Sequence, residues 1–161
     1  MRSLALMLGF CLTTIFLLPT KSSLAATTTV PKPSNAPLDL NLLKNPNGVI
    51  TANTISQSKL TIPSLWLAKY NFGNDLLDNW IAYSATNTEP ARVDLVVNQQ
   101  AWILLDYIER YSFVNRFGSI ARRFGYNLRV FNYQKERLAT YTCNFSTSPQ
   151  SCNLEIPTNL R

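Results

Sequence analysis

Arg92-Val93-Asp94-Leu95-Val96-Val97-Asn98 runs directly into Gln99-Gln100-Ala101-Trp102-Ile103-Leu104-Leu105, and the change of hydrophobic period between these two halves decides the fold. Val93, Leu95 and Val97 alternate with Asp94 and Val96, the two-residue period of a strand. Asn98 is a good helix cap, and the helical stretch it opens runs towards Phe124. Gly125 can take the left-handed conformation that ends a helix, and Arg122 and Arg123 place cations beside the last exposed carbonyls. Upstream, Leu76 to Tyr83 reads as a strand antiparallel to Arg92–Asn98, joined to it through Ser84 to Pro90. Downstream, Asn127 to Tyr133 and Arg137 to Phe145 read as two more strands around Gln134-Lys135-Glu136. A short helix precedes them all, capped by Thr61, started by Pro63 and stopped at Gly73. The order α-β-β-α-β-β predicts a two-layer α+β domain over residues 61–161, with a four-stranded, mainly antiparallel sheet packed against a helical layer.

The helical stretch conflicts with itself. At 100° per residue Trp102, Leu104, Leu105, Ile108 and Tyr111 lie on one side, whereas Phe113, Phe117, Ile120, Ala121 and Phe124 lie nearly opposite. One straight helix cannot bury both sets. A break between Tyr111 and Phe113 resolves the conflict, and the alternative is a phenylalanine-rich face offered to a partner or a membrane surface.

Towards the N-terminus, Arg2, the apolar run Leu4–Leu18, and Ser23 and Ala25 before a cleavage point read as a secretory signal peptide over residues 1–25. The run is 15 residues long, shorter than the ~20 of a membrane-spanning helix, so no transmembrane segment is expected in the mature chain. Residues 26–60 are rich in Pro, Thr, Ser and Asn and read as a tether or loosely packed arm. Within it, the alternating Leu38, Leu40 and Leu42, the turn Asn45-Pro46-Asn47-Gly48 and the stretch Val49–Ile55 suggest a hairpin.

Cleavage would remove Arg2, Lys21 and Cys11, lowering the net charge from +6 to +4 and leaving two cysteines. In an oxidising compartment Cys143 and Cys152 read as a disulfide, stabilising by roughly 2.5 to 3 kcal/mol on the chain-entropy estimate. Export implies a periplasmic or extracellular destination.

The basic excess is local. Between Arg110 and Arg137 stand seven basic residues, Arg110, Arg116, Arg122, Arg123, Arg129, Lys135 and Arg137, against Glu136 alone. The arginine fork suits carboxylate, sulfate and phosphate, so these six arginines form a candidate contact for an anionic surface, an acidic polysaccharide or an envelope protein. Nucleic acid is not an expected partner, because the chain is exported and carries no recognition motif.

The chain contains no histidine, which excludes Ser-His-Asp and Cys-His catalysis and any His-ligated metal. The five glycines are too dispersed for a phosphate-cradling loop. Histidine-free hydrolysis would have to use Asp78, Asp94, Asp106 and Glu109, or Lys69 or Lys135 with a serine, and none has a diagnostic spacing. No catalytic residue, cofactor or metal is assigned, and the expectation is a non-catalytic binding or accessory module, with a carboxylate-using hydrolase as the alternative.

The strings Thr61-Ile62-Pro63-Ser64-Leu65-Trp66, Arg92 to Asn98, Leu105 to Val114 and Gly125 to Phe131 together resemble a family of small exported cyanobacterial proteins of unknown function. The resemblance covers about Thr61 to Cys143. It implies a periplasmic or thylakoid-lumen location and supplies no catalytic residue.

Overall fold

Apolar residues on both parities of the central strands require cover on both faces of the sheet, and the computed structural model shows how that cover is made. It describes residues 29–54, 62–72 and 75–157. The expected signal peptide, the Thr61 cap and the Gly73 stop lie outside the described residues.

The described strands are β1 (Ile50–Thr51), β2 (Leu77–Tyr83), β3 (Arg92–Val97), β4 (Asn127–Phe131), β5 (Arg137–Asn144) and β6 (Ser151–Glu155). They form one sheet in the order β1-β2-β3-β4-β5-β6. The helices are α1 (Ile62–Phe72), α2 (Gln99–Leu104) and α3 (Tyr107–Arg123). The four-stranded, mainly antiparallel α-β-β-α-β-β domain is therefore corrected to a six-stranded mixed sheet with three α-helices among the described residues. β3 and β4 pair in parallel, with Leu95 opposite Val130, while the other neighbours are antiparallel. The parallel pair follows from the connection: α2 and α3 carry the chain back to the end of the sheet where β3 began, as a crossover must.

The expected hairpin is also corrected. Leu40–Leu43 forms a short 3-10 helix capped by the Asp39 carboxylate, and β1 pairs with β2 instead of with the leucines. β6 is the second added strand, and Cys143 and Cys152 sit directly opposite each other on β5 and β6, joined by a disulfide with Cα atoms 4.0 Å apart.

On one face of the sheet Trp80, Val93, Leu95, Leu128 and Val130 meet Phe113, Val114, Phe117 and Ala121 of α3 and Leu65 and Ala68 of α1. Gly118 lets α3 approach the sheet, since a Cβ there would collide with the Tyr141 ring. On the other face Ile81, Val96 and Phe131 are covered by Leu38, with Leu40, Leu42, Leu43 and Val49 packed around them. Residues 29–54, from the stretch read as a tether or loose arm, thus form part of the protein body. The fold has three layers: helices, sheet and arm.

α3 begins earlier than the hydrophobic pattern suggests. The break falls at Leu105–Asp106 and not between Tyr111 and Phe113. Asp106 accepts from the Glu109 backbone N–H at 2.8 Å, and Glu109 accepts from the Asp106 backbone N–H at 2.8 Å, a reciprocal capping box that starts a new helix. At the other end Gly125, at φ +79°, donates to Arg122 O and Tyr126 donates to Ala121 O, the paired bonds of a Schellman stop. No described helix is long and apolar enough to cross a membrane.

Candidate functional site

The six arginines of the basic segment are divided between the sheet and α3. Arg129 is buried, and its Nε and Nη2 donate to Asp94 Oδ1 and Oδ2 at 2.8 and 2.7 Å. Its Nη1 donates to the carbonyls of Ser34 and Ala36 at 2.9 and 2.7 Å. This guanidinium ties the arm to the sheet and is not offered to an outside anion. Arg137 joins it on the arm, donating to Ser34 O and Asn35 Oδ1, both at 3.3 Å.

The remaining four belong to α3. Arg110 donates to the α2 carbonyls of Trp102 and Ile103 and stacks over the Trp102 ring at 5.6 Å. That arrangement satisfies the end of a six-residue helix and fixes the α2–α3 corner. Arg122 lies beside the disulfide, with Nη1 3.8 Å from Cys152 Sγ. Arg116 and Arg123 are exposed along the helix.

The carboxylates considered for hydrolysis are similarly engaged. Asp94 is held by Arg129, while Asp106 and Glu109 form the capping box. Asp78 has its carboxyl pKa pushed up by burial, partly offset by the Lys69 ammonium. No cluster of three metal-ligating side chains occurs among the described residues.

The most unusual surface is apolar and lies at the corner that Arg110 and Asp106 brace. Ile103 is 58% exposed, Leu104 84%, Tyr107 57%, Ile108 69% and Tyr111 43%. The Tyr107 and Tyr111 rings stand 6.5 Å apart. Their neighbours in sequence, Phe113 and Phe117, are buried, so the alternative of an exposed phenylalanine face does not hold: Leu104, Ile108 and Tyr111 of the first half are presented outward, while Trp102 is buried. Beside this corner opens a cleft of about 350 Å³, with Leu76, Leu105 and Phe113 along its apolar part and Glu109, Ser112 and Arg116 on its polar part. Sequence periodicity identified the apolar set to which Leu104, Ile108 and Tyr111 belong. It missed their exposure because both halves look equally fit for burial until the break is located.

Another concavity, also of about 350 Å³, lies between the arm and the β2–β3 connection, lined among others by Val49, Tyr83, Glu89 and Arg92. Arg92 is 8% exposed and stacks on the Tyr83 ring at 4.1 Å, between Glu89 at 3.7 Å and Asp94 at 3.9 Å. Burial, reinforced by the Asp94 charge, raises the Tyr83 phenol pKa. No family model, curated protein or solved structure matches this chain, so its function has to be argued from these surfaces.

Proposed function

We propose that the protein is an exported, non-catalytic binding module that recognises a partner protein of the cell envelope through the α2–α3 corner and its cleft. The observation carrying this reading is the exposed run Ile103, Leu104, Tyr107, Ile108 and Tyr111 on a corner held rigid by Asp106, Glu109 and Arg110. Contiguous apolar surface on a soluble domain favours association, and a braced scaffold reduces the ordering cost of binding. The adjoining cleft has the anatomy of a protein interface, an apolar floor for an anchoring side chain with Glu109 and Arg116 of opposite charge at its rim. A purely anionic surface is the weaker partner, because Arg129 and Arg137 are spent on the arm and Arg110 on α2. The disulfide and the leader-like residues 1–25 support export to the periplasm, the thylakoid lumen or the exterior.

A photo-crosslinking residue placed at Leu104 or Ile108 of the full chain in its native host should capture one envelope protein. With that protein purified, Ile108→Glu should weaken binding about 10-fold or more while leaving the melting temperature of the module unchanged. Salt-sensitive binding to anionic liposomes, lost in Arg116→Ser/Arg123→Ser and without any protein crosslink, would overturn the proposal in favour of a lipid surface.

A further inference from the structure

The geometry points to a second binding site, for an uncharged polyhydroxyl molecule such as a sugar or polyol, in the concavity between the arm and the β2–β3 connection. It lies on the face of the sheet turned away from the helices and is independent of the α2–α3 corner.

Three buried polar atoms meet here without hydrogen-bond partners: Arg92 Nε, Glu89 Oε2 and Tyr83 OH. Buried polar atoms are nearly always paired, so three unpaired ones on residues that line a single concavity leave hydrogen-bonding capacity in its wall. Arg92 is more than nine-tenths buried, and stacking on Tyr83 holds its guanidinium plane in place. Its ion-pair distances to Glu89 and Asp94, 3.7 and 3.9 Å, leave hydrogen-bonding capacity on both the guanidinium and the Glu89 carboxylate.

The charges select the ligand class. Arg92 and Arg129 are matched by Glu89 and Asp94, and Asp39 adds a third carboxylate near Tyr83, so the neighbourhood has no positive excess to hold an anion. An anion drawn to Arg92 would face both carboxylates, and a cation drawn to Glu89 would face Arg92. A hydroxyl group both donates and accepts, so adjacent hydroxyls can take a hydrogen bond from Arg92 and give one to Glu89 without adding charge. Ala36, Val49 and Ala85 line the same space and suit the C–H surface of a sugar ring. The volume of about 350 Å³ falls at the small end of the roughly 300–1,000 Å³ range of small-molecule sites.

Saturation-transfer and chemical-shift titrations of the full secreted chain with glucose, galactose and glycerol, with glucuronate and glucosamine as charged controls, test the site. Binding of at least one neutral probe with a dissociation constant of about 1 mM or tighter is expected. Glu89→Gln should weaken it roughly 10-fold, the scale of one hydrogen bond to a charged group. Ala85→Trp should block the site, and a wild-type melting temperature for both variants separates ligand loss from unfolding. Failure of all three neutral probes to bind, preference for glucuronate, or neutral binding indifferent to both substitutions would overturn the assignment. None of these outcomes bears on capture of a partner at Leu104 or Ile108.

Discussion

Asp94 and Arg129 form the most deeply buried ion pair among the described residues, at 0% and 2% side-chain exposure. Two charges removed from water are held there by two short parallel hydrogen bonds, and the arm carbonyls of Ser34 and Ala36 occupy the remaining guanidinium donor. Removing one member leaves the other buried without its counter-charge, so Asp94→Ala or Arg129→Ala should cost about 3–5 kcal/mol in urea denaturation. The double change Asp94→Leu/Arg129→Met should be markedly less destabilised than the sum of the two alanine variants, because no orphaned charge remains. Additive losses would mean that the two side chains do not act as a pair. Sequence reasoning counted Arg129 among surface arginines, since strand alternation tells parity but not register. The pairing of Asp94 opposite Arg129 depends on the parallel β3–β4 alignment. The visible hint was Arg92, Asp94 and Arg129 on the second parity of β3 and β4, which also carries the apolar Val96 and Phe131.

Local chemistry carried its message well where one residue decides the geometry. Asn98 accepts from the backbone of Gln100 and Ala101, and Gly125 ends α3, both as a cap and a stop should. Elements whose fate depends on distant surfaces were less legible. The alternating leucines of the arm imitate a strand, yet Leu40 and Leu42 fall in a 3-10 helix and Leu38 precedes it, and all three pack on the face of Ile81, Val96 and Phe131. Likewise, the phase change between Trp102 and Phe124 is visible in the sequence, while its position is hidden in the capping box Asp106–Glu109, because the same two acids also fit a carboxylate pair for hydrolysis. Gly118 tests the packing of α3 directly. Alanine in a helix interior is intrinsically better than glycine by about 1 kcal/mol, so Gly118→Ala would stabilise an uncrowded helix. Here its Cβ meets the Tyr141 ring, and overpacking of this kind costs about 1–3 kcal/mol. Net destabilisation is expected by thermal melting, and Gly118→Ala in a Tyr141→Leu background should recover the helix-propensity gain. A stabilising Gly118→Ala in the wild-type background would mean that α3 stands farther from β5 than this packing requires.

At the scale of the whole molecule, the arm covers the second face of the sheet, with its apolar and ionic groups, where the described residues supply helices on the first face alone. Leu38 is 3% exposed and caps the cluster of Ile81, Val96 and Phe131, while Arg129 and Arg137 hold the preceding backbone in place. Proline and asparagine content made this segment look like a tether, because composition reports the absence of regular elements and not the absence of packing. The two interpretations give different energies for one substitution. In a loose arm Leu38→Ala is a surface change and should alter stability by less than about 0.5 kcal/mol. In a third layer it removes a buried side chain over a close-packed face, with an expected loss of about 2–5 kcal/mol in urea denaturation. The concavity beside Arg92 supplies a second readout, since Val49 belongs both to its lining and to the rim of the Leu38 cluster. Displacing the arm should therefore increase hydrogen exchange in β2 and at Val96 and Phe131 together, while the amides of α3, shielded on the opposite face, keep their relative protection. A Leu38→Ala variant with wild-type stability and unchanged exchange in those strands would return the arm to the status of a tether.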